Sequence, residues 1–502
     1  MQKLSEALNR QVGILVTRGG GITHVIVGDT RGLFLPPLDS HPLGKKALRG
    51  LRLIHTHLYG EPLSQDDLTD LSLLRLDALA AIDIGDAELG SVELAYLSPK
   101  GTETETVDIY HPKEDFTLFL DSLEAEMSRR RGFEQDGAVE RAILVSICSP
   151  GVPRTDQEDS MDELRELAES SDVLVLDAVL QRPKKINPKL LMGEGKLREL
   201  VINSMDKGAT MLVFDQDLSP SQLKNISQMT ELKVLDRSQM ILDVFARRAH
   251  SRDGKVQVEL AQLKYRLPRL AGRGTAMSRL MGGIGGRGPG EMKLEIDRRR
   301  VRERIGLLER QLKGLGMARV QRKQRRVGAG LPIISIIGYT NAGKSTLLNA
   351  LTGSDTFVEH RMFATLDTAS RRLRFPRERE VVITDTVGFI RDLPKDLMSA
   401  FKSTLEELGD ADLLLHLVDI ANPRFERQMA SVERILGELE LLDKNRILVF
   451  NKADLLAPDV AENIASRFDA VLVSARDRKS FGPLISALEL ALWQENLSGT
   501  HV

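Results

Sequence analysis

The rhythm of apolar and polar positions changes several times along the chain. Near the start, the short β-branched runs "VGILVT" (12–17) and "THVIVGD" (23–29) flank "RGGGI", and a glycine-rich turn between such runs predicts a β-hairpin. Alternating segments follow, with an acidic stretch from Asp66 to Asp86. "DFTLFLDSLEAEMSRRRG" predicts a helix ending at Gly132. Residues 1–137 hold no motif with evident chemistry and are expected to form an accessory domain of α/β character.

From about residue 138 the pattern alternates between short apolar runs and helical periods. "RAILVSI" (141–147), "DVLVLDAV" (172–179) and "TMLVFD" (210–215) predict strands, with helices at "MDELRELAESS" and "KLRELVINSM". Such alternation predicts βαβ units and a small parallel α/β domain over 138–250. Two helical stretches, about 255–271 and 291–326, come next, joined by "GRGTAMSRLMGGIGGRGPG" (272–290). That joint has eight glycines and no acid, cannot bury a core and leaves its backbone permissive. The expectation is a helical hairpin over 251–328 with a basic, glycine-rich tip. Over 329–502 the strands "PIISII", "EVVITD", "DLLLHLVD", "RILVFN" and "AVLVSA" alternate with helices, which predicts a doubly wound domain. No internal repeat is visible.

Composition narrows this only a little. A length of 502 residues suits about three domains of roughly 150 residues. Hydrophobic content of 42% and charged content of 28% are ordinary for a globular protein. The lone cysteine, Cys148, cannot close an internal disulfide; it fits a reducing compartment and reads as a buried strand residue. "MQKLSEALNRQVGILVTRGG" lacks the apolar core of a signal peptide, and no run approaches the roughly 18 apolar residues of a membrane span. A cytoplasmic monomer is the expectation. The nine histidines form no ligand-spaced pair with cysteine, which argues against a zinc site.

Charge changes the picture more. The net charge of -2 conceals 23 Lys/Arg against 7 Asp/Glu between Arg247 and Arg326. A surplus so concentrated points to a polyanionic partner.

The chemistry is carried by short motifs in the last domain. "GYTNAGKST" (338–346) follows a buried strand and opens a helix, and Gly338, Gly343, Lys344 and Ser345 fit G-x-x-x-x-G-K-[ST]. Backbone N–H groups from Asn341 through Ala342 to Thr346 would surround the β-phosphate at the positive end of that helix. Lys344 would reach the β/γ-phosphates, and Ser345 would give its hydroxyl to Mg²⁺. "DTVG" (385–388) lies 41 residues beyond Lys344. Asp385 would hold Mg²⁺ through water, and the Gly388 N–H would bond the γ-phosphate. In "RMFATLDT" (361–368), Thr365, or alternatively Thr368, is expected to bind Mg²⁺ when the γ-phosphate is present. Lys344, Thr365 and Gly388 are thus the candidate catalytic groups.

"NKAD" (451–454) decides the base. Asp454 can accept hydrogen bonds from N1–H and the 2-amino group of guanine, whereas adenine would leave the carboxylate unpaired, at about 1–3 kcal/mol or more. Asn451 would brace the loop, Lys452 would cover the base plane, and Ser474-Ala475 fits the last base-contacting loop. Phe389 stands where Ras-like GTPases place a glutamine that orients water, so slow intrinsic hydrolysis is expected. The order phosphate loop, threonine, DxxG, NKxD resembles the translation-factor-like class of P-loop GTPases.

The likeness extends further. "FDQDLSPSQLKNI" (214–226), "LDRSQMILDVFARRAHS" (235–251), "KVQVELAQLKYRLPRL" (255–270) and "GPGEMKLEIDRRRVRERI" (288–305) resemble the signatures of the HflX family, as do "GYTNAGKSTLLNALT" and "FATLDT". The resemblance covers about residues 140 to 480. It implies a multidomain α/β protein whose C-terminal P-loop GTPase domain is preceded by a small α/β domain and a basic helical hairpin. It also implies GTP/GDP as ligands, Mg²⁺ as cofactor, and a partner in the large ribosomal subunit and its RNA, with dissociation or recycling of stalled ribosomes under stress. Asn341 resembles the asparagine that holds K⁺ in some related GTPases. The first 137 residues lie outside the common core, an extra C-terminal domain of some members is expected to be absent or cut short here, and "SARDRKS" lacks the glycine that often follows Ser-Ala. A role in ribosome assembly, or ATP-driven RNA remodelling weakly supported by "GEGK" (193–196), stays open at this point.

Overall fold

The computed structural model describes residues 1–493 except 31, 37, 39, 42–46, 85–90, 99–100, 109, 111–114, 134–138, 231, 273–295, 297, 315–330, 354–361, 364–368, 376–378, 387, 392–396, 399–400 and 402–404. The chain divides into two units: Met1–Gly151 with Val173–Leu212 and Asn225–Val234, and Val152–Asp172 with Val213–Lys224 and Leu235–Val502.

In the first unit, β1 (Val12–Thr17) and β2 (Ile22–Val27) form the expected hairpin, with a register slip between Leu15 and Val16. They extend through β3 (Leu51–His57), β4 (Ala78–Asp83), β5 (Ser91–Ser98) and β6 (Gly101–Asp108) into a sheet of order β2-β1-β3-β4-β5-β6. β3 and β4 are parallel, so their connection must cross over, and it does so through the helix Gln65–Leu74. Ser64 starts that helix in a capping box with Asp67, satisfying two otherwise orphaned N–H groups. Leu15, Leu53, Leu71, Leu79 and Leu120 are buried in one core. The helix anticipated to end at Gly132 runs Phe116–Phe133, one residue further.

The α/β segment contains β7 (Arg141–Ile147), β8 (Leu174–Gln181), β9 (Met211–Phe214) and β10 (Lys233–Asp236), hydrogen-bonded in the order β10-β9-β7-β8. All residues of β7 are buried, as in a parallel strand covered on both faces. Cys148 lies one residue past β7 and is half-buried, a small departure from the core-strand expectation. The helix Arg154–Ser170 turns Met161, Leu164 and Leu167 inward at helical spacing. "GEGK" opens the helix Glu194–Asp206, and Lys196 pairs with Glu199 in its first turns.

Of the two basic helices, Arg252–Arg266 and 298–314 are described. Val256, Leu260 and Leu308 pack together, and Glu259 meets Arg304 at 2.7 Å. The anticipated tip, beyond Gly272, lies outside the described residues.

The last domain is a six-stranded sheet of β11 (Ile333–Gly338), β12 (Ala369–Arg374), β13 (Glu380–Asp385), β14 (Leu413–Asp419), β15 (Arg446–Asn451) and β16 (Val471–Leu472) in the order β12-β13-β11-β14-β15-β16. Only β12 runs antiparallel to its neighbour among these pairs. The five parallel strands therefore end on one edge, where doubly wound sheets gather ligand-binding loops. Ile334, Ile336, Leu347, Ile383 and Leu415 anchor the core beneath that edge. Among the described residues, no helix is long and apolar enough to cross a membrane.

Candidate nucleotide-binding site

The motifs read from the sequence gather at that edge because each sits where a parallel strand ends. Gly338 ends β11, Asp385 ends β13, Asn451 ends β15, and Ser474 lies two residues past β16.

The loop after β11 turns into the helix Lys344–Thr352 through Gly343, whose backbone is left-handed at φ 93. A Cβ at Gly343 would lie 2.3 Å from Asn451 Nδ2, so glycine is required twice over. Thr346 lies in the first turn of that helix. The Lys344 ammonium is buried and donates to Gly338 O at 3.0 Å and Tyr339 O at 2.7 Å. Burial lowers its pKa to about 8, against a smaller upward pull from Asp385. An ammonium held by two carbonyls can exchange them for phosphate oxygens.

Ser345 Oγ donates to Asp385 Oδ2 at 2.6 Å. A hydroxyl and a carboxylate placed side by side are hard oxygen donors of the kind Mg²⁺ takes, so the donor set fits that ion. Asn341 is exposed, with a left-handed backbone at φ 63. That conformation by itself suits asparagine, which tolerates it better than most residues. Thr365 and Thr368 lie outside the described residues.

A Cβ on Gly388 would come within 2.9 Å of Thr340 Cγ2 and 3.0 Å of Lys344 Nζ, so this backbone passes as close to the phosphate loop as glycine permits. Phe389 donates its N–H to Gly338 O at 3.1 Å and accepts from Thr340 N at 2.8 Å. Its ring is 1% exposed. The residue in the place of a water-orienting glutamine therefore points into the core.

At the other end, Asn451 Nδ2 donates to Ala342 O at 2.8 Å, and its Oδ1 accepts from Ala475 N at 2.9 Å. One amide ties three loops together. Lys452 extends from a left-handed backbone, φ 63, to Asp419 at 2.7 Å. Asp454 is exposed, and one carboxylate oxygen accepts from Ser474 Oγ at 2.6 Å, which fixes the plane of the group that would face the base. Ser474 is in turn held by Ser480, whose Oγ accepts its N–H at 2.9 Å. Arg476 stands in place of the missing glycine, and the turn still closes through Asp477 N to Ser474 O at 2.9 Å.

Several neighbours of the site escaped the sequence reading. The Tyr339 hydroxyl donates to Glu163 and accepts from Arg391 N at 2.8 Å. Glu163 also meets Arg237 at 2.6 Å, and Arg237 meets Asp215 at 2.9 Å. Met362 N donates to Ser170 Oγ at 3.0 Å, and the Phe363 ring lies 4.5 Å from Phe245. No spacing rule announces these contacts, because the partners come from distant parts of the chain. His416, buried in β14 beside the phosphate-loop strand, is held to a pKa of about 4 by burial, then by Arg446 and Lys344.

Comparison with known proteins finds GTPases. Three family models match in succession: "GTP-binding GTPase N-terminal" over 158–246, "GTP-binding GTPase Middle Region" over 248–326 and "50S ribosome-binding GTPase" over 333–452. A GTPase HflX from Caldanaerobacter subterraneus is 47% identical over 356 residues, 71% of this chain and 81% of the relative. One from Escherichia coli is 40% identical over 370 residues, 73% of this chain and 85% of the relative. A crystal structure of a GTP-binding protein from the archaeon Sulfolobus solfataricus with GDP is 25% identical, with a TM-score of 0.38, covering 71% of this chain and 100% of that one. With three family models matched in succession and this extent of identity, the chain belongs to the HflX family of GTPases and hydrolyses GTP.

Proposed function

We propose that this GTPase binds the large ribosomal subunit and dissociates or recycles stalled ribosomes under stress, as a monomer in the cytoplasm. The observation that carries the reading is the basic surplus between Arg247 and Arg326, in the same chain as a GTP-hydrolysing domain. Thirteen Lys/Arg fall between residues 291 and 326, more than solubility needs and suited to phosphates of RNA. The words "50S ribosome-binding" describe the matched family model, and the proposal extends them to this chain.

In this reading, Ser345, Asp385 and Thr365 would hold Mg²⁺. The ion would supply positive charge against the phosphate oxygens. Lys344 turns from Gly338 and Tyr339 to the β/γ-phosphates. Gly388 senses the γ-phosphate through its N–H. Asn451 braces the loops, Lys452 covers the base, and Asp454, oriented by Ser474 beside Ala475, selects guanine. Phe389 cannot orient water, so hydrolysis is slow until the ribosome reorders the switch segments. Asn341 would hold K⁺, which would supply positive charge against the phosphates. GTP favours the ribosome-bound state, and hydrolysis releases the factor.

The test is GTP hydrolysis by the purified chain, with and without large ribosomal subunits, in K⁺ and in Na⁺. Strong stimulation by the subunits is expected, greater in K⁺. Equal rates with and without subunits would overturn the ribosomal reading, and equal rates in the two salts would remove K⁺ from it.

A further inference from the structure

Outside the GTPase machinery, the first unit brings together His55, His57 and Asp67. His55 and His57 occupy alternate positions of β3 and so share one face of the sheet. Asp67 comes from the first turn of the crossover helix that follows. His55 Nε2 and His57 Nε2 are 2.8 Å apart, His55 Nε2 lies 3.4 Å from Asp67 Oδ1, and His57 Nε2 lies 3.4 Å from Asp67 Oδ2. Both histidines are buried, at 1% and 4% exposure.

From these contacts we infer that His55, His57 and Asp67 form a binding site for a divalent first-row transition metal, with zinc the best fit. A tetrahedral ion with ligands at about 2.0–2.1 Å keeps them about 3.3 Å apart; the two Nε2 atoms are 2.8 Å apart and each lies 3.4 Å from a different oxygen of Asp67, so a small opening of the histidine pair would seat the ion against the carboxylate. Two imidazoles and one carboxylate make a three-ligand set that leaves a position for water or substrate.

The surroundings are those of a held site. His57 Nδ1 lies 2.6 Å from Glu61 O, which fixes the tautomer that turns a lone pair on Nε2 toward His55 and Asp67. Asp67 Oδ2 accepts from Ser64 N at 2.8 Å and Ser64 Oγ at 2.6 Å, so the capping box that starts the helix also aims the carboxylate.

A purely structural histidine pair is the competing account, and it leaves the two Nε2 atoms sharing one proton. With the Glu61 carbonyl taking the His57 Nδ1 proton, the single N–H that can lie between the two Nε2 atoms must come from His55. His55 Nδ1, buried without a hydrogen-bond partner, is a bare lone pair in that account and an N–H when Nε2 binds a metal, so it does not separate the two. Protonating His57 instead places a cation in the pair and leaves the same atom unpartnered. A metal replaces the shared proton and turns two rings that compete for it into two ligands.

The test is stoichiometric binding of Zn²⁺ and Co²⁺ to the full chain after exhaustive chelation. One Zn²⁺ per chain is expected, and Co²⁺ should give the visible ligand-field bands of a tetrahedral site. His57→Gln and Asp67→Asn should each abolish the bands, and Ser64→Ala should weaken affinity about 10- to 100-fold by freeing the carboxylate. GTP hydrolysis by all three variants should match the parent, which shows that they fold. No stoichiometric binding by the parent chain, or bands unchanged in His57→Gln and Asp67→Asn, would overturn the site. Should either ligand variant fail to hydrolyse GTP, the Ser64→Ala affinity decides alone.

Discussion

Asn451 Nδ2 occupies the space a Cβ on Gly343 would need, 2.3 Å from that position, while donating to Ala342 O at 2.8 Å. The base-reading loop and the phosphate loop are thus locked by one amide. Replacing Asn451 with alanine unpairs the buried Ala342 carbonyl and Ala475 N–H, at about 1–3 kcal/mol each. Asn451→Ala should lower the denaturant midpoint and weaken GTP and GDP alike, read by fluorescent-nucleotide titration. Normal GDP affinity in this variant would show that the lock is dispensable.

Asp454 should set base identity. Asp454→Asn exchanges an acceptor for a donor and loses hydrogen bonds worth about 1.5–3 kcal/mol, roughly 10- to 150-fold in affinity for GTP. The variant should instead hydrolyse xanthosine triphosphate. The Ser474 bond to Asp454 predicts a smaller loss of the same kind in Ser474→Ala. Competition among GTP, xanthosine triphosphate and ATP checks both.

Lys344 should take up a proton when nucleotide binds. Its pKa of about 8 in the nucleotide-free protein rises when phosphate replaces two carbonyls as its partner. Near pH 8, binding should therefore capture about half a proton, and near pH 6.5 almost none. Calorimetry in two buffers of different ionisation heat measures this. The sign for folding is opposite to that of an ion-paired lysine. The unfolded chain still holds this proton between about pH 8 and 10, so the nucleotide-free fold gains stability as pH rises through that window.

His416 makes the GTPase domain sensitive to acid. Its folded pKa of about 4 lies below the unfolded value near 6.5, so the unfolded chain protonates first as pH falls. Stability present above about pH 6.5 is lost on the way down to 4. His416→Asn should flatten that decline by up to about 1.4 kcal/mol per pH unit. Urea unfolding followed by the fluorescence of Trp493, which packs edge-on against Phe375 in this domain, gives the measurement. Identical slopes in the two proteins would exclude the histidine as the cause.

What the sequence disclosed was what is local. The phosphate loop, DTVG and NKAD are each contained in a few residues at a strand end, and strands buried on both faces read as apolar runs. β8 was displaced by two residues because Asp172 adopts a left-handed turn, φ 54, so the strand starts at Leu174 and reaches Gln181. His55-x-His57 was invisible as a ligand pair because, within an apolar strand, it looks like ordinary alternation. The third member of the proposed set arrives from a helix cap. The Tyr339–Glu163 contact carries no local signal at all. It joins residues whose sequence separation is 176.

That contact has a thermodynamic corollary. Glu163 belongs to the helix Arg154–Ser170 and serves both Tyr339, which follows the first glycine of the phosphate loop, and Arg237. A carboxylate shared in this way gives nucleotide occupancy and the surroundings of that helix a common contact. Linkage is symmetric. Any macromolecule that alters the affinity for GTP through that helix must have its own affinity altered by GTP by the same factor.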